Sequence, residues 1–324
     1  VDDRPLLKTL WPTLRRGPGQ VQFGLDPEHA RVVEGLTGPE VAALDRLDGL
    51  HELPTDLAGA DSADVIALLR DHGLLTAHDP SGGLAPQVRA VLAHDAEAAA
   101  RSHPGEPGGY AVLGRRREAP VLVVGRGSLP SAVTTVLRRA GARARCAPVG
   151  TLDPGDVAEA AQEAAPALVI LTGVHALDPA VGEPWRARGI PVLPAVLHTT
   201  EAVIGPVVVP GGPCLRCLDL TRADLDPAWP TLLGQLVRPC VGPGPEVSGE
   251  TTLVWLGAAM ASMVALGVID GVPLPVGRSL EAGLPWPRIR QREWPAHPRC
   301  RCGSADASGR PADGREGSQA RMAG

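Results

Sequence analysis

The sequence predicts an α/β protein: a doubly wound, mostly parallel sheet, preceded by a small winged-helix-like α+β module. Three observations carry this. From Pro120 onward, short apolar runs alternate with helical stretches, as expected of strands buried on both faces by crossover helices. Residues 1–78 instead give the order hairpin, helix, short segment, helix. Two close cysteine pairs, Cys214/Cys217 in PGGPCLRCLD and Cys300/Cys302 in HPRCRCG, must meet if they share a ligand, so the chain between them leaves and returns to one place.

A chain of 324 residues accommodates two domains, and with only Phe23, Tyr110 and six Trp its core has to be built from Leu, Val and Ala. The net charge of −5 provides no field to hold nucleic acid, and the one basic run, Arg115 to Arg117, reads as a solvated linker. The opening VDDRPLLKTLWPTL lacks the basic-then-apolar order of a secretory signal. A cytoplasmic protein is expected, whose thiols stay reduced and bind metal.

In the first module (residues 1–78) Val21, Phe23 and Leu25 alternate as a strand, Asp26-Pro27 turns the chain, and Arg31 to Val33 returns. Thr37 and Glu40 have capping-box spacing ahead of a helix with Val41, Leu44 and Leu47 on one face. Ser62 caps a second helix, with Val65, Ile66, Leu68 and Leu69 as its stripe and Gly73 as its stop. As a DNA reader this helix is poor: Arg70 is its only cation, against Asp61, Asp64 and Asp71. A strand edge beside a helix is also a place where a peptide adds as a further strand, so a peptide or protein partner is expected. Residues 79–118 read as a linker containing a helix, Gln87 to Arg101, then a loose Gly-Pro-Arg-rich segment.

The α/β domain (residues 119–302) begins with the strand Val121–Val124 and Gly125-Arg126-Gly127 before a helix ending near Gly141. Further strands are read at Ala142–Ala147, Ala167–Leu171, Ile190–Leu193 and Ala202–Val209, with helices at Pro154–Glu163 and Ala180–Arg188. Thr251 to Ile269 is uncharged and long enough to span a bilayer, but it has no Lys or Arg anchors and reads as a core helix, so no membrane partner is expected. Residues 303–324 read as a disordered polar tail.

Four chemistries follow from these residues. A strand, G-x-G and a helix start form the Rossmann-like place for a phosphate, making Gly125 and Gly127 a candidate nucleotide loop; Pro130 replaces the third glycine, and a plain strand-to-helix turn is the alternative. Four thiolates in two pairs suit a structural zinc on Cys214, Cys217, Cys300 and Cys302. Only Arg301 separates the second pair, which leaves His297 as an alternative ligand. Of the remaining cysteines, Cys146 reads as inert, and Cys240 lacks the His or Arg neighbours of an activated nucleophile. His175 and His198 each follow a strand at the carboxyl end of the sheet, where ligands bind in such folds, although a surface or satisfied histidine is the plainer reading.

A glycine loop, several α/β units, IPVL, the knuckle VVVPGGPCLRC, a long Ala/Gly helix and a distal cysteine pair together resemble the ThiF/MoeB family of ubiquitin-activating-enzyme-like adenylyltransferases, over residues 119 to 302. With the first module in front, the chain resembles the ThiF-like partner proteins of thiazole/oxazole-modified peptide biosynthesis, in which such a module clamps a leader peptide. The resemblance implies an acid after the second strand for ribose, Arg and Lys for the triphosphate, and an Asp after a later strand for magnesium. This chain departs at each point: Ala147 to Gly150 and Thr172 to His175 hold no acid, Asp153 and Asp178 precede prolines, and Lys8 is the only lysine. A non-catalytic zinc scaffold that binds a leader peptide or partner enzyme is therefore expected, with no catalytic residues and without ATP or magnesium. The competing expectation is an active ATP-dependent adenylyltransferase acting on a carboxylate; a homodimer is left open.

Overall fold

The computed structural model describes residues 5–7, 14–25, 30–47, 53–57, 63–71, 74–77, 83–103, 106, 108–147, 166–237, 249–286 and 288–303. The readings made above for the Asp26-Pro27 turn, Ser62, Gly73, Pro148 to Gly150, Asp153, the helix from Pro154 to Glu163, Cys240 and residues 304–324 lie outside them. The chain divides into two compact units, residues 1–118 with 139–143, and residues 119–138 with 144–324.

In the first unit the expected hairpin is present and one strand larger. Strands β2 (Leu14–Gly17), β3 (Gln20–Phe23) and β4 (Arg31–Val33) form an antiparallel sheet with β3 in the centre and Val21 opposite Val33. Strand β2, LRRG, is exposed and carries no alternating apolar pattern, so nothing in its sequence announced it. A separate antiparallel pair joins β1 (Pro5–Leu7) to β5 (Leu75–Ala77). Gly19, at φ +68°, closes the β2–β3 turn where an added Cβ would lie 2.6 Å from the Leu36 carbonyl oxygen. Helix α1 (Gly38–Leu44) starts at a complete capping box: the Glu40 carboxylate accepts from the Thr37 N–H at 2.7 Å, and Thr37 Oγ1 accepts from the Glu40 N–H at 3.4 Å. Val21, Phe23, Val33, Val41, Leu44, Leu57, Ile66 and Leu69 share one core. On α2 (Ala63–Asp71), Leu68 is exposed instead of joining the stripe, because Ile66 and Leu69 already turn inward.

The linker is more structured than its composition suggested. The expected helix breaks at Leu92 into α3 (Pro86–Val91) and α4 (Ala93–Ser102), and the Gly-Pro-Arg-rich stretch forms α5 (Gly109–Glu118). Helices α4 and α5 approach so closely at Gly109 that an added Cβ would lie 1.6 Å from the Ala96 carbonyl oxygen. The basic run is not a solvated linker: Arg115 pairs with Glu106 at 2.8 Å, and Arg116 is buried with Nη1 3.4 Å from the Ala140 carbonyl oxygen.

The second unit is built on a seven-stranded mixed sheet in the order β12-β11-β10-β9-β8-β6-β7. Its strands are β6 (Val121–Val124), β7 (Ala144–Ala147), β8 (Leu168–Val174), β9 (Val192–Leu197), β10 (Glu201–Ile204), β11 (Arg278–Gly283) and β12 (Arg288–Glu293). Pairs β7/β6, β6/β8 and β8/β9 are parallel, whereas β9/β10, β10/β11 and β11/β12 are antiparallel. The sheet is therefore half antiparallel, not mostly parallel. The reason lies in RIRQRE and its partner strand, which were not read as strands at all: every residue of β12 is exposed, so no apolar periodicity marks it. Strand β8 runs three residues past Leu171, and β10 stops at Ile204, with Val208 making only a bridge to Val192. Helix α6 (Ser128–Arg139) follows the glycine loop. The stretch expected as a helix from Ala180 is a 3-10 turn, Pro179–Gly182, running into the one-turn α7 (Glu183–Arg186). Helices α8 (Leu215–Leu225) and α9 (Trp229–Leu236) follow the knuckle. The long α10 (Thr251–Ile269), capped by the Glu250 side chain accepting from the Leu253 N–H at 2.8 Å, lays Leu253, Val254, Ala258, Ala261 and Ala265 into the core. Its length and composition would let it cross a membrane, yet one side of it packs against β9, β10 and β11.

Candidate functional site

Cys214 is the N-cap residue of α8, and Cys217 lies in its first turn, with the Cys217 N–H donating to the Cys214 carbonyl at 2.9 Å. Cys300 and Cys302 come from the C-terminal segment, where the Cys300 N–H donates to the His297 carbonyl at 2.8 Å and Cys302 sits in a 3-10 turn, Arg301–Gly303. The fold brings all four sulfurs within 4.8 Å of one another, and they are the only such group among the described residues. Sγ–Sγ separations are 3.8 Å for Cys214–Cys217, 3.6 Å for Cys214–Cys300 and 3.2 Å for Cys217–Cys302. A tetrahedron with metal–sulfur bonds of about 2.3 Å has edges of about 3.8 Å, so the donor set fits a four-coordinate thiophilic cation such as zinc.

The thiols of the cluster differ in how readily they ionise. Burial pushes the Cys214 thiol up to about 11, and burial raises Cys302 as well. Burial also acts on Cys217, but backbone N–H groups of His297 and Cys214, with the Cys302 and Cys300 thiols, outweigh it and hold this thiol below its ordinary value. The remaining protons leave when a cation supplies the compensating charge. His297 is not part of the donor set. Its Nδ1 accepts from the Arg299 N–H at 3.2 Å and its Nε2 donates to Asp224 Oδ2 at 2.8 Å, so both ring nitrogens are engaged. Arg299 also pairs with Asp224. The histidine braces the loop that carries Cys300.

At the other candidate, Gly125 and Gly127 have φ of +153° and +91° between β6 and α6. A Cβ on Gly125 would lie 1.9 Å from Thr172 Oγ1, whose hydroxyl donates to the Val124 carbonyl at 3.1 Å. Close approach of β6 and β8 therefore accounts for Gly125 without a ligand, while Gly127 opens into the first turn of α6. Asp178, as its place before a proline suggested, caps a turn: its Oδ1 accepts from the Ala180 N–H at 2.8 Å. Cys146 is half-buried on β7, and burial raises its thiol above the ordinary value.

The parallel register of β8 and β9 pairs Val174 with Leu197, so the next residue on each strand is a histidine. His175 and His198 face each other with ring centroids 6.1 Å apart and planes tilted by 37°. Beside them is a group that sequence reading missed. Asp219 Oδ1 accepts from Arg222 Nη1 and from Trp229 Nε1, each at 3.1 Å, and the Arg222 guanidinium lies 5.2 Å and 5.1 Å from the ring centroids of Trp229 and Trp294. The i,i+3 spacing of Asp219 and Arg222 on a helix was a readable signal; the two tryptophans, distant in sequence, were not.

Fold and site together define a mixed α/β protein with a four-cysteine cluster fit for a metal. No protein-family model and no curated protein matches the sequence. Among solved structures the fold is similar to that of E. coli MccB, with a TM-score of 0.65 at 14% identity over 99% of each chain. It is similar to PaaA, with a TM-score of 0.62 at 13% identity over 85% of this chain and 95% of that one. It is also similar to the heterocyclase TruD, with a TM-score of 0.62 at 16% identity over 92% of this chain and 42% of TruD, so the chain spans less than half of that protein. MccB has been solved with MccA, and with AMPCPP and MccA together. At these identities the likeness concerns the fold, and the ThiF/MoeB assignment drawn from the knuckle goes beyond it.

Proposed function

We propose that this chain is a ThiF-like, zinc-stabilised scaffold of peptide modification, which captures a peptide or a partner enzyme through its N-terminal module and does not itself activate a carboxylate. The observation that carries the reading is the end of β8. Where the resemblance calls for an acid to hold magnesium, the strand runs through Thr172, Gly173 and Val174 to His175. Docking is supported by β4, an edge strand with Arg31 and Val32 exposed, and by the solved pairing of the similarly folded MccB with MccA. In this reading the three-stranded sheet with α1 and α2 is the winged-helix-like clamp, and β7-β6-β8-β9 is the doubly wound, Rossmann-like part. Zinc on Cys214, Cys217, Cys300 and Cys302 has four protein ligands and no open position, so it ties α8 to the C-terminal segment and takes no part in chemistry.

The test uses the full chain and a fluorescently labelled precursor peptide encoded beside its gene. Anisotropy should report saturable binding, weakened about tenfold or more by Val32→Glu, which places a charge where an added strand would pack. Unchanged binding in that variant would move docking away from β4. A second reading, an ATP-dependent adenylyltransferase, is favoured by one observation: Gly127 opens into the N-terminus of α6, and the similarly folded MccB takes AMPCPP. Exchange of pyrophosphate into ATP would select it.

A further inference from the structure

The carboxyl ends of β8 and β9 hold a small cleft of about 30 Å³, room for about two water-sized groups. Its apolar walls include Leu177, Val196, Val203 and Leu218, and the polar groups facing into it are His175, His198, Asp219 and Arg222. Both histidines come off locked turns. The His175 N–H donates to the Leu197 carbonyl at 2.8 Å and the His198 N–H to the Glu201 carbonyl at 2.7 Å. His175 is the one non-glycine residue with positive φ, 65°, among the described residues, a conformation that costs an ordinary side chain about 1 kcal/mol.

Three acids near the cleft already have their cations. Asp219 is answered by Arg222 and the Trp229 N–H, Glu281 by Arg290 at 2.6 Å and Arg292 at 2.7 Å, and Glu201 by Arg290 at 2.9 Å. The imidazole pair opens toward solvent, and among the described residues neither ring makes a hydrogen bond to protein, so both are available to a ligand. His175 is exposed and His198 half-buried, and a ring separation of 6.1 Å leaves room for one acceptor atom to take an N–H from each at about 2.8–3.0 Å.

We infer that His175 and His198 form a binding site for a small oxyanion, a carboxylate or phosphate group held between the two imidazoles at the carboxyl end of the sheet. The site is separate from the four thiols and does not depend on peptide docking by the first unit. Burial, with the neighbouring His175 and Arg222 charges, holds His198 below its ordinary value against the opposing pull of Glu201 and Glu281. An anion in the cleft reverses that balance and draws a proton onto the ring, so binding tightens as pH falls through the range where His198 titrates.

The experiment is a side-chain NMR titration of the full, metal-loaded chain, following the His175 and His198 ring resonances with sodium acetate, with inorganic phosphate, and with sodium chloride at matched ionic strength. Saturable shifts of both rings with acetate or phosphate are expected, together with an upward move of the His198 titration midpoint. His175→Asn, which tolerates positive φ, and His198→Leu should each weaken binding about tenfold or more while metal content stays unchanged. Stronger response to acetate identifies a carboxylate ligand; stronger response to phosphate identifies a phosphoryl group. Shifts that match those in sodium chloride, or an affinity unaltered in both variants, would overturn the site.

Discussion

Two corners of the same sheet unit have opposite characters. At the cysteine corner every group needed is present: four sulfurs at tetrahedral spacing, helix α8 starting at Cys214, and His297 braced from both ring nitrogens. At the glycine corner the backbone turn is present, but Gly125 is explained by its close approach to Thr172, and β8 is followed by His175 where the resemblance calls for an acid. The difference teaches that parts of a site serving the fold and parts serving chemistry are separable. A glycine demanded by packing is not by itself a sign that a nucleotide binds.

Substitutions at the two corners sharpen the contrast. The largest effect is expected from Cys214→Ser, which removes a ligand from a closed set: metal content should fall from about one ion per chain to near zero, with a loss of several kcal/mol in stability. Elemental analysis and thermal melts read both, and unaltered metal content would sink the cluster as a metal centre. Next comes Gly125→Ala. With an added Cβ only 1.9 Å from Thr172 Oγ1 and 2.8 Å from its carbonyl oxygen, it should destabilise the unit, by about 2–4 kcal/mol in a denaturant titration. A fully stable variant would mean that packing does not explain this glycine.

Two smaller effects calibrate the rest. Thr37→Ala, which removes half of the capping box in the other unit, should cost about 1 kcal/mol and leave metal content untouched. The pH dependence concerns His198, held by burial below its ordinary 6.5. A histidine depressed in the folded state binds fewer protons there than when unfolded, so its contribution is fully present above 6.5 and is lost as pH falls from that value toward the folded midpoint. His198→Leu should flatten the acid side of the stability curve between those limits, and a curve with the wild-type slope would contradict this.

What could be read in the sequence was what local chemistry decides. Val121–Val124 was legible because a strand buried on both faces is an unbroken apolar run, and Thr37 with Glu40 because a capping box spans four residues. The cysteine pairs stated a long-range contact because only a shared ligand explains such spacing. Strand β12 was illegible because all of its side chains face solvent, and α5 because its Gly and Arg content resembles a loop while Gly109 is there for a close approach to Ala96. The pairing of His175 with His198 needed the β8–β9 register, which follows from tertiary structure and leaves no local trace.

The most direct test of the central proposal is exchange of labelled pyrophosphate into ATP with magnesium and the precursor peptide present, run beside peptide anisotropy on the same sample. A scaffold that captures peptide without activating a carboxylate predicts saturable peptide binding and exchange no faster than in a protein-free control. Peptide-dependent exchange above that control would contradict it and assign the glycine corner a working nucleotide site.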